Sequence, residues 1–481
     1  MIATEMAPLA KVGGLADVVG ALSAALAGHD HEVKVILPRY ASIDAARHRL
    51  KDSPNGPIVE LPTGTGSSAS VMVHLVESDP YFGRPGIYND PKDGKGYPDN
   101  AERFIYFQKQ ALALLRKTGF APDVIHCHDH QTALIPAWLK LSEDPFVAGV
   151  ATLFTVHNLG YQGLYPRQVL AQAGFDDSVF FPMSPFEFYG QVNFMKIGLT
   201  FADVITTVSP TYAREICTAE QGSGLEGVLV SRGQDLHGVL NGIDDAYWNP
   251  SKDPHLKHHY DAKDLAGKAL CKTALLKEMG LPAGRKRVPV VGIISRLTEQ
   301  KGFDLIEQAM PELMQREMKI VVLGAGEERY VRMLREAQAR YPARVTVRVG
   351  FDEALAHLIE AGSDMFLMPS RYEPCGLNQM YSLAYGTVPV VRATGGLADT
   401  VSEDGATGNG FVFQEYAAPA MVAALDRAIA AYGDKKKWTM LVQSGMRGDY
   451  SWAKSAQVYA ALYAQAAERA RSGASKSTQY A

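Results

Sequence analysis

The chain has 481 residues, 47% of them hydrophobic, which is enough for two large domains with separate cores. Its net charge is −4, with 48 basic and 52 acidic residues well mixed, which argues against general nucleic-acid binding but leaves room for an anionic small ligand. No apolar run reaches membrane-spanning length, no signal-like segment opens the chain, and Cys127, Cys217, Cys271 and Cys375 form no CxxC pair, so a reduced, cytoplasmic protein away from membranes is expected.

Residues 1–3 are short for a strand. Gly13 and Gly14 open a helix expected over about 15–26, with Gly28 as its stop. Lys11 stands just before that start. A lysine and two glycines at a helix N-terminus can hold a phosphate, and a solvated loop lysine is the plain alternative. Strands are expected over 32–37 and 70–77, with 58–61 as a neighbour of the latter. Residues 81–97, including Tyr88, form a long loop rich in glycine, proline, aspartate and aromatics. Such loops are often functional, and tyrosines on them suit sugar faces or loop packing.

Residues 124–130, Val-Ile-His-Cys-His-Asp-His, end a strand in metal-type ligands. One reading is a metal-dependent hydrolase centred on His126, His128, Asp129 and His130. The other is a strand end at which Asp129 caps a helix over 131–139 or faces a cleft. A further strand over 152–157 ends in His157, and another spans 202–209. Strands alternating with helical segments imply a doubly wound parallel sheet.

Asn241-Gly242-Ile243-Asp244 is turn-rich and marks the join between domains, placed at 1–245 and 246–450. Strands at 288–294, 319–323, 345–349, 365–368 and 388–391 then build a second α/β domain. Gly324 and Gly326 begin a dinucleotide fingerprint, but Arg329 stands at its third glycine position, so a nicotinamide cofactor is discounted. Arg296 sits at a strand end, and Lys301-Gly302 stands where the next helix begins. An arginine fork and a lysine point charge on one loop suit a pyrophosphate. In Pro369-Ser-Arg-Tyr-Glu-Pro-Cys-Gly-Leu-Asn-Gln379, Pro374 keeps Glu373 out of helical geometry, and Gly376 lets backbone approach a ligand closely. Gly-Gly-Leu-Ala-Asp occurs at 13–17 and again at 395–399, read as two turns doing similar backbone work. Residues 451–471 read as a helix and 472–481 as a disordered tail.

Taken together, these strings resemble bacterial glycogen synthases and plant starch synthases. They are Lys-Val-Gly-Gly-Leu-Ala-Asp-Val at 11–18, His-Cys-His-Asp at 126–129, Thr-Val-His-Asn at 155–158, Asn-Gly-Ile-Asp at 241–244, Ser-Arg-Leu-Thr-Glu-Gln-Lys-Gly at 295–302, Ser-Arg-Tyr-Glu-Pro-Cys-Gly-Leu at 370–377 and Thr-Gly-Gly-Leu-Ala-Asp-Thr-Val at 394–401. The resemblance implies a two-Rossmann (GT-B) glycosyltransferase fold with its active site in the interdomain cleft. It implies transfer of glucose from ADP-glucose to an α-1,4-glucan with retention of configuration and without a metal. By that resemblance Lys11, Gly13, Gly14, Asn241, Gly376 and Leu377 serve the nucleotide sugar, and Arg296 and Lys301 bind its diphosphate. Glu373 holds the glucose hydroxyls, His157 lies beside the reacting centre, and Tyr88 and Asp129 lie on the acceptor side. The helix at 451–471 is expected to return to the N-terminal domain. Family members begin with a fuller first strand, so here either the start is placed late or the strand is shortened. The rivals are a related transferase with another acceptor, the metal-dependent hydrolase and a non-catalytic glucan-binding protein.

Overall fold

Apolar runs bounded by proline, glycine or polar pairs become strands, and the amphipathic stretches between them become helices. The computed structural model describes residues 1–29, 31–63, 69–284, 287–405 and 408–472. The tail expected at 472–481 lies, from 473 onward, outside the described residues. The chain divides into two units, Met1–Gly242 together with the segment from Trp452, and Ile243–Ser451.

The first unit carries strands β1 (Lys34–Pro38), β2 (Ile58–Pro62), β3 (Ser70–Val76), β4 (Val124–His128), β5 (Ala151–Val156), β6 (Leu164–Tyr165), β7 (Glu187–Phe188), β8 (Gln191–Asn193), β9 (Val204–Thr207) and β10 (Leu236–Gly238). Parallel ladders run β10-β9-β5-β4 and β1-β3, and β2 adds an antiparallel edge to β3. That edge is a departure from the all-parallel expectation. Consecutive strands that pair antiparallel, as β2 and β3 do, need no crossover helix.

The opening segment holds the two ladders together. Ile2 bridges in parallel to both Ile36 and Cys127. Its N–H donates to His126 O at 2.8 Å, and Ile36 N–H donates to Met1 O at 2.9 Å. Residues 1–3 therefore occupy the central strand position in spite of their length. A cavity of about 350 Å³ remains beside Met1, lined by Lys34, Phe120, Val124 and Tyr463 among others. Counting this segment first, the parallel strands lie in the order 3-2-1-4-5-6-7, so the sheet changes direction between residues 1–3 and β4. In open α/β sheets ligands bind beyond the carboxyl ends of the strands at such a switch.

The second unit carries β11 (Val290–Ile294), β12 (Lys319–Gly324), β13 (Val345–Val349), β14 (Met365–Met368), β15 (Val388–Arg392) and β16 (Phe411–Phe413), all parallel in the order β13-β12-β11-β14-β15-β16. This is again 3-2-1-4-5-6, with its switch between β11 and β14. Alternate residues of β11 feed opposite layers. Val291 and Ile293 pack with Leu305, Ile306 and Leu425, whereas Val290 packs with Leu275, Leu355 and Ile359. Burial on both faces is why β11 and β14 read as unbroken apolar runs.

The helix Trp452–Ser472 belongs to the first unit although it follows the second in the chain. Trp452, Ala456, Tyr459, Leu462 and Ala466 recur at helical spacing. They pack on Val18, Leu22 and Leu26 of the helix Gly14–Ala27 and on Leu153 and Val204 of the sheet. A leucine or valine buried in this way contributes about 1.5–3 kcal/mol. Among the described residues, no helix is long and apolar enough to cross a membrane.

Three local expectations change. The helix placed at 131–139 begins later, as Leu134–Leu141, after a single tight turn at His130–Thr132. The short antiparallel sheet β6-β8-β7 has no counterpart in the sequence reading, because strands of two or three residues are too brief to show periodicity. The two Gly-Gly-Leu-Ala-Asp turns both open helices but do different work. A Cβ on Gly13 would meet nothing within 4 Å, whereas one on Gly395 would lie 1.9 Å from Glu373 O and one on Gly396 2.1 Å from Cys375 O.

Candidate active site

In the second unit the site grows from the switch between β11 and β14. After β11 the chain turns tightly over Glu299–Lys301 and reverses at Gly302, whose φ is 78°. A Cβ there would stand 2.1 Å from Pro369 O, so this loop and the one after β14 meet backbone to backbone. That approach places Lys301 Nζ 2.6 Å from Glu373 Oε2, with only 18% and 7% of the two side chains exposed. Ser370 Oγ donates to the same oxygen at 3.0 Å. Behind them the helix Gly395–Thr400 begins against the Glu373 carbonyl, and Gly396 N–H donates to Pro374 O at 3.1 Å. Gly376 holds φ 69°, and Gln379 Nε2 donates to the Cys375 and Gly376 carbonyls at 3.0 Å each. Leu377 precedes the helix Asn378–Ala384, which Asn378 ties to the end of β11 through Ile294 O at 2.8 Å. Arg296 is exposed and donates to Gln300 Oε1 at 2.9 Å. The structure thus joins Lys301 to Glu373 directly and leaves Arg296 on the outer edge of the same loop.

In the first unit Glu5 is the organiser. Its Oε2 accepts N–H bonds from Val12 at 2.5 Å and Gly13 at 2.8 Å, and its Oε1 accepts from Tyr88 OH at 2.7 Å. Tyr88 OH also lies 2.8 Å from Thr4 Oγ1. The long loop reaches this position because the fully buried Arg103 donates to the Tyr81 carbonyl at 2.8 Å and the Ile87 carbonyl at 3.1 Å. Lys11 pairs with Asp17 at 2.7 Å. Gly14 is the first residue of its helix. The Gly13 N–H and the Lys11 ammonium, both expected at a phosphate, are therefore held by carboxylates in this structure. Sequence reading passed over Glu5 as a site residue. Its place just beyond the central strand, on the switch, was the available signal.

Asp129 follows β4 with φ 57° and ψ −178°, an uncommon conformation for a residue with a side chain. It does not cap the next helix. Its Oδ1 instead accepts the His157 N–H at 2.8 Å, and its own N–H donates to Thr155 O at 2.9 Å. Burial pushes its carboxyl up to about 7, against the pull of the His157 and Asn158 amides. The neighbouring histidines are held neutral, also by burial, with His157 down at about 3 and His130 at about 4. His126 and His128 are pushed well below the usual imidazole value.

Their ring nitrogens are largely committed. His126 meets Tyr463 OH at 2.7 Å and Thr155 Oγ1 at 2.6 Å, His128 meets His157 at 3.0 Å, and His130 meets Tyr161 O at 2.9 Å. Among the described residues, no group of three or more His, Cys, Asp or Glu stands where it could hold a metal ion. The hydrolase reading of this cluster has no geometric support. Asn241 is buried near the end of the first unit, and among the described residues its Oδ1 has no hydrogen-bond partner.

Residues 1–231 match the starch synthase catalytic domain family and residues 282–440 match glycosyl transferases group 1. The catalytic domain of starch synthase IV from Arabidopsis thaliana, solved with ADP and acarbose, superposes with a TM-score of 0.86 at 37% identity, over 97% of this chain and 99% of that one. Sucrose-phosphate synthase from Thermosynechococcus elongatus shares the fold at a TM-score of 0.61 and 18% identity, over 96% and 97% of the two chains. Two Rossmann-ordered units, each with charged groups at its switch point, define a glycosyltransferase of the GT-B class. Glycogen synthase from Syntrophotalea carbinolica is 48% identical over 480 residues, covering 97% of this chain and 98% of its own. That of Anaeromyxobacter dehalogenans strain 2CP-C is 50% identical over 473 residues, covering 96% and 98%. The chain belongs to the glycogen synthase and starch synthase family.

Proposed function

We propose that this hexosyltransferase moves glucose from ADP-glucose to the non-reducing end of an α-1,4-glucan, with retention of configuration, in glycogen synthesis. The observation that carries the reading is the Lys301–Glu373 pair at the switch of the second unit, with Arg296 on the same loop. The ammonium and guanidinium offset the charge that develops on the departing diphosphate, through charge-assisted hydrogen bonds worth about 1.5–3 kcal/mol each. Glu373 is the acceptor for glucose hydroxyls. Lys11 and Gly13 exchange their carboxylate partners for the donor's phosphates beside Gly14, with Asn241, Gly376 and Leu377 contributing contacts to the nucleotide sugar. Tyr88 and Asp129 serve the acceptor side.

Retention follows from front-face attack, in which the departing phosphate takes the acceptor proton and the protein mainly orients and stabilises charge. A double displacement would need a flanking pair of carboxylates of the glycosidase kind. The reaction is proposed to run without a metal, its charge being met by Arg296 and Lys301, so chelator treatment should leave the rate unchanged. A cytoplasmic setting accords with the four free cysteines. The test is incorporation of labelled glucose into glycogen from ADP-glucose and, in parallel, from UDP-glucose. Transfer from ADP-glucose with α-linked product is expected, and failure with both donors would overturn the proposal.

A further inference from the structure

His128 stands behind His157, and its geometry fixes a proton. The His128 ring is fully buried, covered on one side by His126 at 4.0 Å between centroids. Its main-chain N–H is held by Thr132 Oγ1 at 2.6 Å. Its Nδ1 lies 3.0 Å from His157 Nε2, and among the described residues its own buried Nε2 has no hydrogen-bond partner. Among the described residues, His157 Nδ1 has no hydrogen-bond partner either.

One proton fits between two facing ring nitrogens, and burial keeps both rings neutral. Two arrangements remain. If His157 donated, His128 would carry its proton on Nε2, leaving a buried N–H with no acceptor. If His128 donates from Nδ1, the group left unpaired is only a bare nitrogen lone pair. Orphaned buried N–H donors are the rarer and costlier defect, so the second arrangement holds. His157 then carries its remaining proton on Nδ1. His157 is gripped twice from the end of β4, its main chain by Asp129 and its ring by His128.

We propose that His128 is a positioning residue for glucosyl transfer, donating to His157 Nε2 so that His157 presents an Nδ1–H donor to an oxygen of the bound glucosyl group. This rests on the reading that His157 borders the reacting centre. The role resembles that of outer partners that set the tautomer of a working histidine.

The experiment has a spectroscopic arm and a kinetic arm. In protein with ¹⁵N-labelled histidine, the His157 signals, assigned by their loss in His157→Gln, should show a protonated Nδ1 and a bare Nε2. A protonated Nε2 overturns the proposal. His128→Leu should lower kcat about tenfold to a hundredfold with the donor KM changed less than about threefold. His128→Asn, whose amide N–H stands close to the lost Nδ1–H, should recover turnover to within about threefold of the parent. Parental turnover in the leucine variant, or equal loss in both variants, overturns it. Should the leucine variant fail to fold, the labelled parent and the asparagine variant still decide. Parental turnover in His157→Ala would instead remove the reading of His157 itself, while the labelled spectrum reports the tautomer independently.

Discussion

Asp129→Asn should stabilise the protein while it weakens the enzyme. Burial raises the Asp129 carboxyl from 3.8 to about 7, so above neutral pH the folded chain holds a charge that the unfolded chain carries more cheaply. At ~1.4 kcal/mol per pH unit this costs about 4 kcal/mol, and the partly exposed edge of the side chain reduces it to about 2 kcal/mol by solvent screening. The sign follows from proton counts. Between pH 3.8 and about 7 the folded chain binds the extra proton, so this group's contribution to stability falls as pH rises and levels off above about 7. Asparagine keeps the carbonyl that accepts His157 N–H and tolerates a positive φ, so the cap on His157 and the backbone turn survive. Urea unfolding should show the variant more stable by about 2 kcal/mol near pH 8, with the gain shrinking toward pH 5. Glucose transfer should fall at least about tenfold. A variant no more stable than its parent at pH 8, or a difference independent of pH, would refute the argument.

The other predictions concern the same loops. Lys301→Ala should cut glucose transfer by about a hundredfold or more, and cost about 2 kcal/mol because Glu373 keeps only Ser370 as partner; near-parental transfer by folded protein would count against the phosphate role. Gly395→Ala places a Cβ 1.9 Å from Glu373 O at a φ of 45°, so a loss of about 3 kcal/mol or more together with most activity is expected by denaturation and transfer assays. On acidification the unfolded chain protonates its histidines near 6.5, while His130 and His157 stay neutral down to about 4 and 3. The contribution of these two histidines to stability is therefore full above pH 6.5 and falls as pH drops below it. Asp129 acts in the opposite sense over much of that range, so the decline should be steeper in Asp129→Asn, which thermal melts at stepped pH would reveal.

Where the chain could be read, it was read from bounded apolar runs. Residues 345–349 and 365–368 match their strands to the residue; Met365–Met368 is apolar and buried throughout, as a parallel strand covered on both faces requires, whereas Val345–Val349 carries Thr346 and Arg348 and is buried only at its start. The Lys301–Glu373 pairing was not legible as a contact, since the two lie 72 residues apart. What the sequence did show was that both follow strand ends, and the 3-2-1-4-5-6 order then brings those ends side by side. The helix start at Leu134 was misplaced because Asp129 looks like a helix cap by type. Its carboxylate is drawn instead to the His157 amide on β5's far end, a tertiary contact that no local pattern announces. The opposite edge of that sheet was misjudged for the same reason, because alternation in residues 70–76 signals a half-buried strand without saying which way its neighbour runs.

In each unit a lysine proposed to meet phosphate rests on one of the unit's own carboxylates. Lys301 rests on Glu373, Lys11 on Asp17, and the Val12 and Gly13 N–H groups on Glu5. A bare ammonium buried to the extent of Lys301 would be costly, and a paired one is oriented in advance. The pairing also selects the ligand. A monoanion offers Lys301 little that Glu373 does not already supply, whereas a diphosphate brings more charge and several acceptor oxygens at once. In the proposed function, displacement of Lys301 toward the phosphate would leave Glu373, among the described residues, an acceptor with only Ser370 Oγ on it, ready to take up sugar hydroxyls. Phosphate and sugar recognition would then be linked through one salt bridge, so a nucleoside diphosphate alone should loosen Glu373 and the sugar should restore its partners. A sugar without the diphosphate meets a Glu373 Oε2 already paired with Lys301 and Ser370, and should for that reason bind more weakly.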